Sequence, residues 1–274
     1  MRLLKRQDSG ALNLTEDLPD QNIPEYVVLS HTWGAAGQEV TLQDFQSRFS
    51  EHQTGKAGYA KIRFCSHQAA QHGYEYLWID TCCIDKTNNV ELTEAITSMF
   101  RWYRGAARCY VYLSDVKVGG LQNNDWQNDF INSRWFTRGW TLQELLAPKS
   151  VEIFSSEGIR LGDKSSLEGE IHRITGIAID ALRGRSLSDF SVSERMSWPT
   201  KRTTTRKEDE AYSLLGIFDV YMPLIYGERE NALVRLREYI DRSIQGTNTA
   251  SLFKLQHTDR VCSYRSSGRP KFVL

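Results

Sequence analysis

Two regimes of hydrophobic patterning divide the chain. Up to about residue 155, short and almost wholly apolar runs alternate with stretches where apolar residues recur at helical spacing; beyond it only helical spacing remains. The runs are Tyr26–Ser30, Tyr76–Ile79, Cys109–Leu113 and Val151–Phe154. Apolarity this continuous predicts strands covered on both faces, the habit of parallel sheets. Between the runs, Tyr59, Ile62, Ala69 and Ala70 outline a helix that stops near Gly73. Leu92, Ala95, Ile96, Met99, Phe100 and Tyr103 outline a second, with Asn88 or Asn89 as its N-cap. A third helix is expected over Arg134–Leu146, capped by Ser133 and stopped by Pro148. Such alternation predicts an α/β fold, a mostly parallel sheet with helices on both faces and right-handed crossovers. Ligands of these sheets bind beyond the carboxyl ends of the strands. His31, Trp33, Asp80, Cys83 and Asp85 fall there.

The later stretch predicts helices from the stripes Leu167/Ile171/Ile174 and Leu233/Leu236/Ile240/Ile244, with Tyr212–Phe218 beside them. These stripes need an apolar partner. The expected organisation is an α/β domain over 1–155, a helical extension over 156–245 packed on it, and a linker or tail over 246–274. The basic run Lys201–Lys207, followed by Glu208–Glu210, reads as a solvated charged face at a helix start rather than a phosphate cradle.

Composition narrows the function. Across 274 residues, 34 Lys and Arg balance 34 Asp and Glu, without the basic excess that following a nucleic-acid backbone requires. A 40% hydrophobic content describes a packed globular protein. No apolar run has the length of a membrane span or a signal peptide, so a cytoplasmic location is expected. Five cysteines, two of them adjacent at Cys82 and Cys83, suggest no disulfide framework. Nothing has zinc-ligand spacing, and neither common glycine-rich nucleotide fingerprint is present. No metal or resident cofactor is expected.

Four segments carry a family resemblance: YVVLSHTWG at 26–34, LWIDTCCIDK at 77–86, ELTEAITSMFRWYRGAARCYVYLSDV at 91–116 and SRWFTRGWTLQELLAP at 133–148. Together they resemble the fungal heterokaryon-incompatibility (HET) domain, and the stretch at 203–228 resembles that family's C-terminal extension. The resemblance implies a cell-death effector of fungal non-self recognition that works in self-associated assemblies. Such a module is frequently fused to a NOD-like receptor region carrying a nucleotide-binding switch and repeats. The order of elements is also similar to that of flavodoxin-like Toll/interleukin-receptor (TIR) domains. Enzymatic TIR domains cleave NAD with a glutamate in a W-C-x-x-E-L motif; this chain has Trp140, Thr141, Glu144 and Leu145 at that spacing, with Thr141 in the cysteine position.

From this resemblance Glu144 is the expected catalytic carboxylate, orienting ribose hydroxyls and offsetting positive charge; location at the strand ends suggests the remaining roles, with Asp80 or Asp85 as a second carboxylate. His31, Arg138 and the strand-end groups of Ser30, Thr32, Gly34 and Cys83 would hold the pyrophosphate, while Trp33 and Trp140 sandwich a base. Two structural alternatives stand beside this reading. Thr141 and Glu144 have capping-box spacing, and Cys82–Cys83 suits a buried strand end better than a nucleophile paired with His31. The leading expectation is hydrolysis of NAD to nicotinamide and ADP-ribose; its rival is a non-enzymatic, oligomerising signalling module.

Overall fold

A computed structural model describes residues 1–47, 55–119 and 126–245. Its strands are β1 (Leu4–Arg6), β2 (Leu12–Leu14), β3 (Tyr26–His31), β4 (Tyr76–Trp78), β5 (Arg108–Tyr112), β6 (Val151–Phe154) and β7 (Arg160–Asp163). They form one sheet in the order β2-β1-β4-β3-β5-β6-β7. The four apolar runs are its parallel centre, with β3 paired to β4 on one side and β5 on the other, and β6 beyond β5. All six β3 side chains are buried, as expected of a strand sandwiched between two helical layers. The fold is therefore α/β with a mostly parallel central sheet.

Its edges depart from the expected pattern. The β1–β2 hairpin joins β4 antiparallel, and β7 joins β6 antiparallel. These strands are three or four residues long and half exposed, so they lack the continuous apolarity that marks the central ones.

The helices of the first regime are α1 (Leu42–Gln46), α2 (Tyr59–Gln71), α3 (Asp80–Cys83), α4 (Asn89–Gly105), α5 (Trp126–Ile131) and α6 (Thr141–Leu146). Because β4 and β5 flank β3 on opposite sides, right-handed crossovers place α2 on one face and α4 on the other. Asn88 is the N-cap of α4, its side chain accepting from the amides of Val90 and Glu91. The expected stripe is buried at Ala95, Ile96, Met99, Phe100 and Tyr103.

The continuous helix expected over Arg134–Leu146 is broken. A 3₁₀ turn spans Arg134–Thr137, with the Ser133 side chain accepting from the Trp135 amide; Arg138 is extended, and α6 starts only at Thr141. The cause lies far away in sequence. The backbone of Thr203 accepts from Gly139 N–H at 2.9 Å and donates to Thr137 C=O at 2.7 Å, which draws residues 137–139 out of helical hydrogen bonding. A Cβ on Gly139 would lie 2.4 Å from Thr204 Cγ2.

The second regime supplies α7 (Glu168–Thr175), α8 (Ile179–Leu182), α9 (Val192–Ser197), α10 (Asp209–Tyr212), α11 (Leu215–Phe218) and a helix over 231–245. Ile171, Leu182, Trp198, Tyr212, Leu236 and Ile240 belong to the same buried cluster as the sheet, although Ile244, the last residue of its expected stripe, is exposed. The tail expected over 246–274 lies outside the described residues. Among the described residues, no helix is long and apolar enough to cross a membrane.

The junction of the two regimes is tightest where α11 meets α4. A Cβ on Gly216 would fall 2.1 Å from Phe100 Cβ, which neither helix can accommodate without moving apart. Gly216→Ala should therefore destabilise the fold by about 1–3 kcal/mol or more, as overpacking typically does. Thermal melting checks this; an unchanged melting temperature would mean that α11 is not pressed against α4.

Candidate functional site

The carboxyl ends of β3 and β4 open into a cavity of about 370 Å³. His31 ends β3 and Trp33 follows it, and Asp80 and Lys86 follow β4. Ile96 and Met99 come from α4, Arg138 and Trp140 from the approach to α6, Glu144 from α6 itself, and Arg206, Asp209 and Tyr226 from the second regime.

Its floor is built on a hydrogen-bond relay. Trp135 Nε1 donates to Ser30 Oγ at 2.8 Å, and Ser30 Oγ donates to Glu144 Oε2 at 2.5 Å. With its hydroxyl so held, Ser30 satisfies a carboxylate that is itself buried. The capping-box alternative is not realised. Trp140 is the N-cap of α6 and its side chain makes no capping bond, while the Thr141 hydroxyl turns to the carbonyls of Trp135 and Arg138 at 2.5 and 2.9 Å. Burial pushes the Glu144 carboxyl up to about 8, opposed by the Ser30 hydrogen bond and reinforced by the charge of Asp80. Tyr103 and Arg202 oppose it more weakly. Arg202 is buried too, donating to Arg138 C=O at 2.8 Å and to Thr141 Oγ1 at 2.7 Å.

His31 lies between two carboxylates, with Nδ1 4.0 Å from Asp80 and Nε2 3.8 Å from Glu39. Burial nevertheless depresses its pKa to about 4, leaving the imidazole neutral near pH 7. The Trp33 indole donates to Asp80 at 2.9 Å, and the Lys86 ammonium sits 3.5 Å from the ring centre. On the far wall, Trp140 Nε1 and the Tyr226 hydroxyl both donate to Asp209, at 3.3 and 2.9 Å. Burial raises the Asp209 carboxyl, and the Arg206 guanidinium lies 4.6 Å from the Tyr226 ring.

Of the residues expected from the sequence, His31, Trp33, Asp80, Arg138, Trp140 and Glu144 come together around the cavity. Ser30 stands behind Glu144. The Thr32 carbonyl accepts from Lys61, and the Gly34 amide donates to Glu39; neither residue lines the cavity. Cys83 and Asp85 are also placed elsewhere. The single turn of α3 directs Cys83 Sγ toward Ile79 N–H at 3.4 Å, and burial pushes the thiol up to about 12. Cys82 Sγ faces Val40 C=O, so neither cysteine serves as a nucleophile for His31. Asp85 braces its own turn, accepting from Thr87 and Gln43.

The basic run at 201–207 is largely the solvated face ahead of a helix that its sequence suggests, with Lys201, Arg206 and Lys207 exposed before α10, but Arg202 is buried and Arg206 also borders the cavity. Lys86, Asp209 and Tyr226 join the site with no spacing to mark them. Among the described residues, no group of three or more His, Cys, Asp or Glu side chains is placed to hold a metal.

The sequence profile described as "Heterokaryon incompatibility protein (HET)" matches residues 26–123. Vegetative incompatibility protein HET-E-1 of Podospora anserina is 54% identical over 263 residues, which cover 94% of this chain. This chain carries a heterokaryon-incompatibility (HET) domain. It spans 19% of the length of that relative. No solved structure matches it. The HET profile ends before Arg138, Trp140 and Glu144, so the HET strand ends supply one side of the cavity and later residues complete it.

Burial of Glu144 makes stability depend on pH with a definite sign. Its pKa rises on folding from 4.5 to about 8, so the folded chain holds the proton longer, and the resulting stabilisation is full below 4.5 and lost as pH climbs toward 8. Gln cannot ionise and escapes that loss. Glu144→Gln should melt about 5 °C or more above the parent near pH 8.5 and close to it near pH 5, given about 2–4 °C per kcal/mol for chains of this size. His31 acts oppositely, its contribution fading as pH falls from 6.5 toward about 4. A Glu144→Gln melting curve parallel to the parent's across this range would show that the carboxyl is not buried.

Proposed function

We propose that the cavity hydrolyses the nicotinamide–ribose bond of NAD and that this activity drives the cell death of vegetative incompatibility. One observation supports the reading above the others: a buried carboxyl with a pKa near 8 opens from the strand ends into a cavity walled by Trp33, Trp140 and Tyr226 and rimmed by Lys86, Arg138 and Arg206. The volume lies within the range of about 300–1,000 Å³ typical of small-molecule sites.

The chemistry follows from charge. The bond from ribose C1′ to the pyridinium nitrogen breaks with its electron pair going to nitrogen, which releases neutral nicotinamide and leaves an oxocarbenium ion. Water adds at C1′ and loses a proton, giving ADP-ribose. Positive charge close to Glu144 favours its carboxylate form, which offsets the developing cation and accepts from the ribose hydroxyls. A group with a pKa near the working pH also suits proton transfer from water. The indoles, each fixed to a carboxylate by its N–H, offer flat faces to a base, and the guanidinium groups match pyrophosphate oxygens. The neutral His31 imidazole contributes a donor without adding charge beside Lys86. The self-association and the fused receptor region implied by the family resemblance, and the cytoplasmic setting expected from the short apolar runs, belong to the same proposal.

Incubating the purified chain with NAD at high protein concentration, while following nicotinamide, tests the reading. Glu144→Gln should fold and lose cleavage by about a hundred- to ten-thousandfold, the usual cost of removing an oriented acid/base group. It should lose cell killing with it. A Gln variant that still kills while releasing no nicotinamide would replace the enzyme with a module acting by contact alone. Specific activity should also rise with protein concentration; a flat response over a wide dilution series, with a monomer by light scattering, would remove the assembly from the proposal.

A further inference from the structure

A second hollow, of about 910 Å³, is bordered by the same two helices that wall the first. Glu144 of α6 and Met99 of α4 face the candidate active site, whereas Leu146, Phe100 and Arg104, farther along the same helices, face this one. Its lining is strongly one-signed. Arg104, Lys149, Lys164, Arg183, Arg185 and Arg195 contribute six cations, against the single carboxylate of Asp219. In a chain whose charges balance overall, this excess is local.

Two of the six are already neutralised, Arg183 by Glu168 and Arg185 by Asp180 and Asp189. The other four have no ion pair among the described residues. Lys164 is buried and touches only carbonyls, those of Leu145 at 3.3 Å and Pro148 at 2.8 Å, and burial pushes its ammonium down to about 8. Arg195 is half-buried against the Phe218 ring and donates to Ile217 C=O, with its Nε left without a partner. Arg104 stacks on Phe100, and Lys149 is exposed at the rim. Cations drawn together and partly desolvated without counter-charge are costly, and an anion in the hollow removes that cost. The floor beneath them, formed by Phe100, Phe218 and Ile240, is apolar.

We propose that this hollow is a binding site for a small polyphosphate anion, separate from the candidate active site. Guanidinium and ammonium groups from several elements can share the oxygens of more than one phosphate, and a concave space of this size fits a small molecule better than a protein surface. Because α4 and α6 border both cavities, a ligand here stiffens the helices that carry Met99 and Glu144.

Inorganic tripolyphosphate is the probe, measured by calorimetry and thermal shift at fixed ionic strength on the chain described here. The parent should bind it and melt several degrees higher, and the double variant Arg104→Glu/Lys149→Glu should bind at least tenfold more weakly. Both substituted residues lie at the edge without ion pairs, so the variant should melt near the parent when no ligand is added. Equal binding by parent and variant, no binding by the parent, or an equal shift from sulfate at matched ionic strength would each overturn the proposal. So would an acidic peptide that binds where tripolyphosphate does not. Binding is read without NAD, so this result stands or falls independently of the cleavage reaction.

Discussion

A carboxyl group on α6, buried against the end of the almost wholly apolar strand β3, is the constraint around which the structure is arranged. Glu144 can be kept out of water only if something donates to it, and the Ser30 hydroxyl does so from within a strand buried at every position. That hydroxyl is oriented in turn by the Trp135 indole, which fixes the 3₁₀ turn ahead of α6. The break between that turn and α6 admits Thr203 as a backbone partner and brings Arg202 beneath Thr141. One desolvated acid thus ties the central strand, the α6 entry and the second regime into a single unit. Its cost is offset by the Ser30 hydrogen bond, which Trp135 orients, and by the nearby charge of Arg202.

The centre of the fold was legible because burial on both faces leaves an unmistakable trace. Tyr26–Ser30 and Cys109–Leu113 are apolar enough to name their own position, and the α4 stripe behind Asn88 is legible for the same reason. The edge strands left no such trace, since Leu4–Arg6 and Arg160–Asp163 pair through backbone groups that any sequence supplies. The helix expected over Arg134–Leu146 failed for a different reason. Local propensity is silent about a partner 64 residues away, and the Gly139–Thr203 pairing overrides it.

Half of the candidate site could be read in the same manner. His31, Trp33 and Asp80 follow from the rule that ligands gather at strand ends, and Trp140 and Glu144 from the resemblance of a short motif. Cys83 and Asp85 obey the same rule but fail, because one helical turn after β4 rotates the thiol into the core and leaves Asp85 bracing a bend. Arg206, Asp209 and Tyr226 were unreadable. Nothing in a polar run announces which of its members will meet an indole from another part of the chain, as Asp209 meets Trp140.

That contact has a consequence for how such domains can be exchanged between proteins. The matched profile stops at residue 123, yet the cavity it opens onto is closed by residues as far along as Tyr226. A graft cut at the edge of the profile would carry the strand ends and leave Glu144, Arg138, Arg206 and the opposite wall behind. The smallest heritable block that keeps this cavity whole is therefore about twice as long as the segment by which the family is recognised, and substitutions on one side of the Trp140–Asp209 contact should be tolerated only in company with changes on the other.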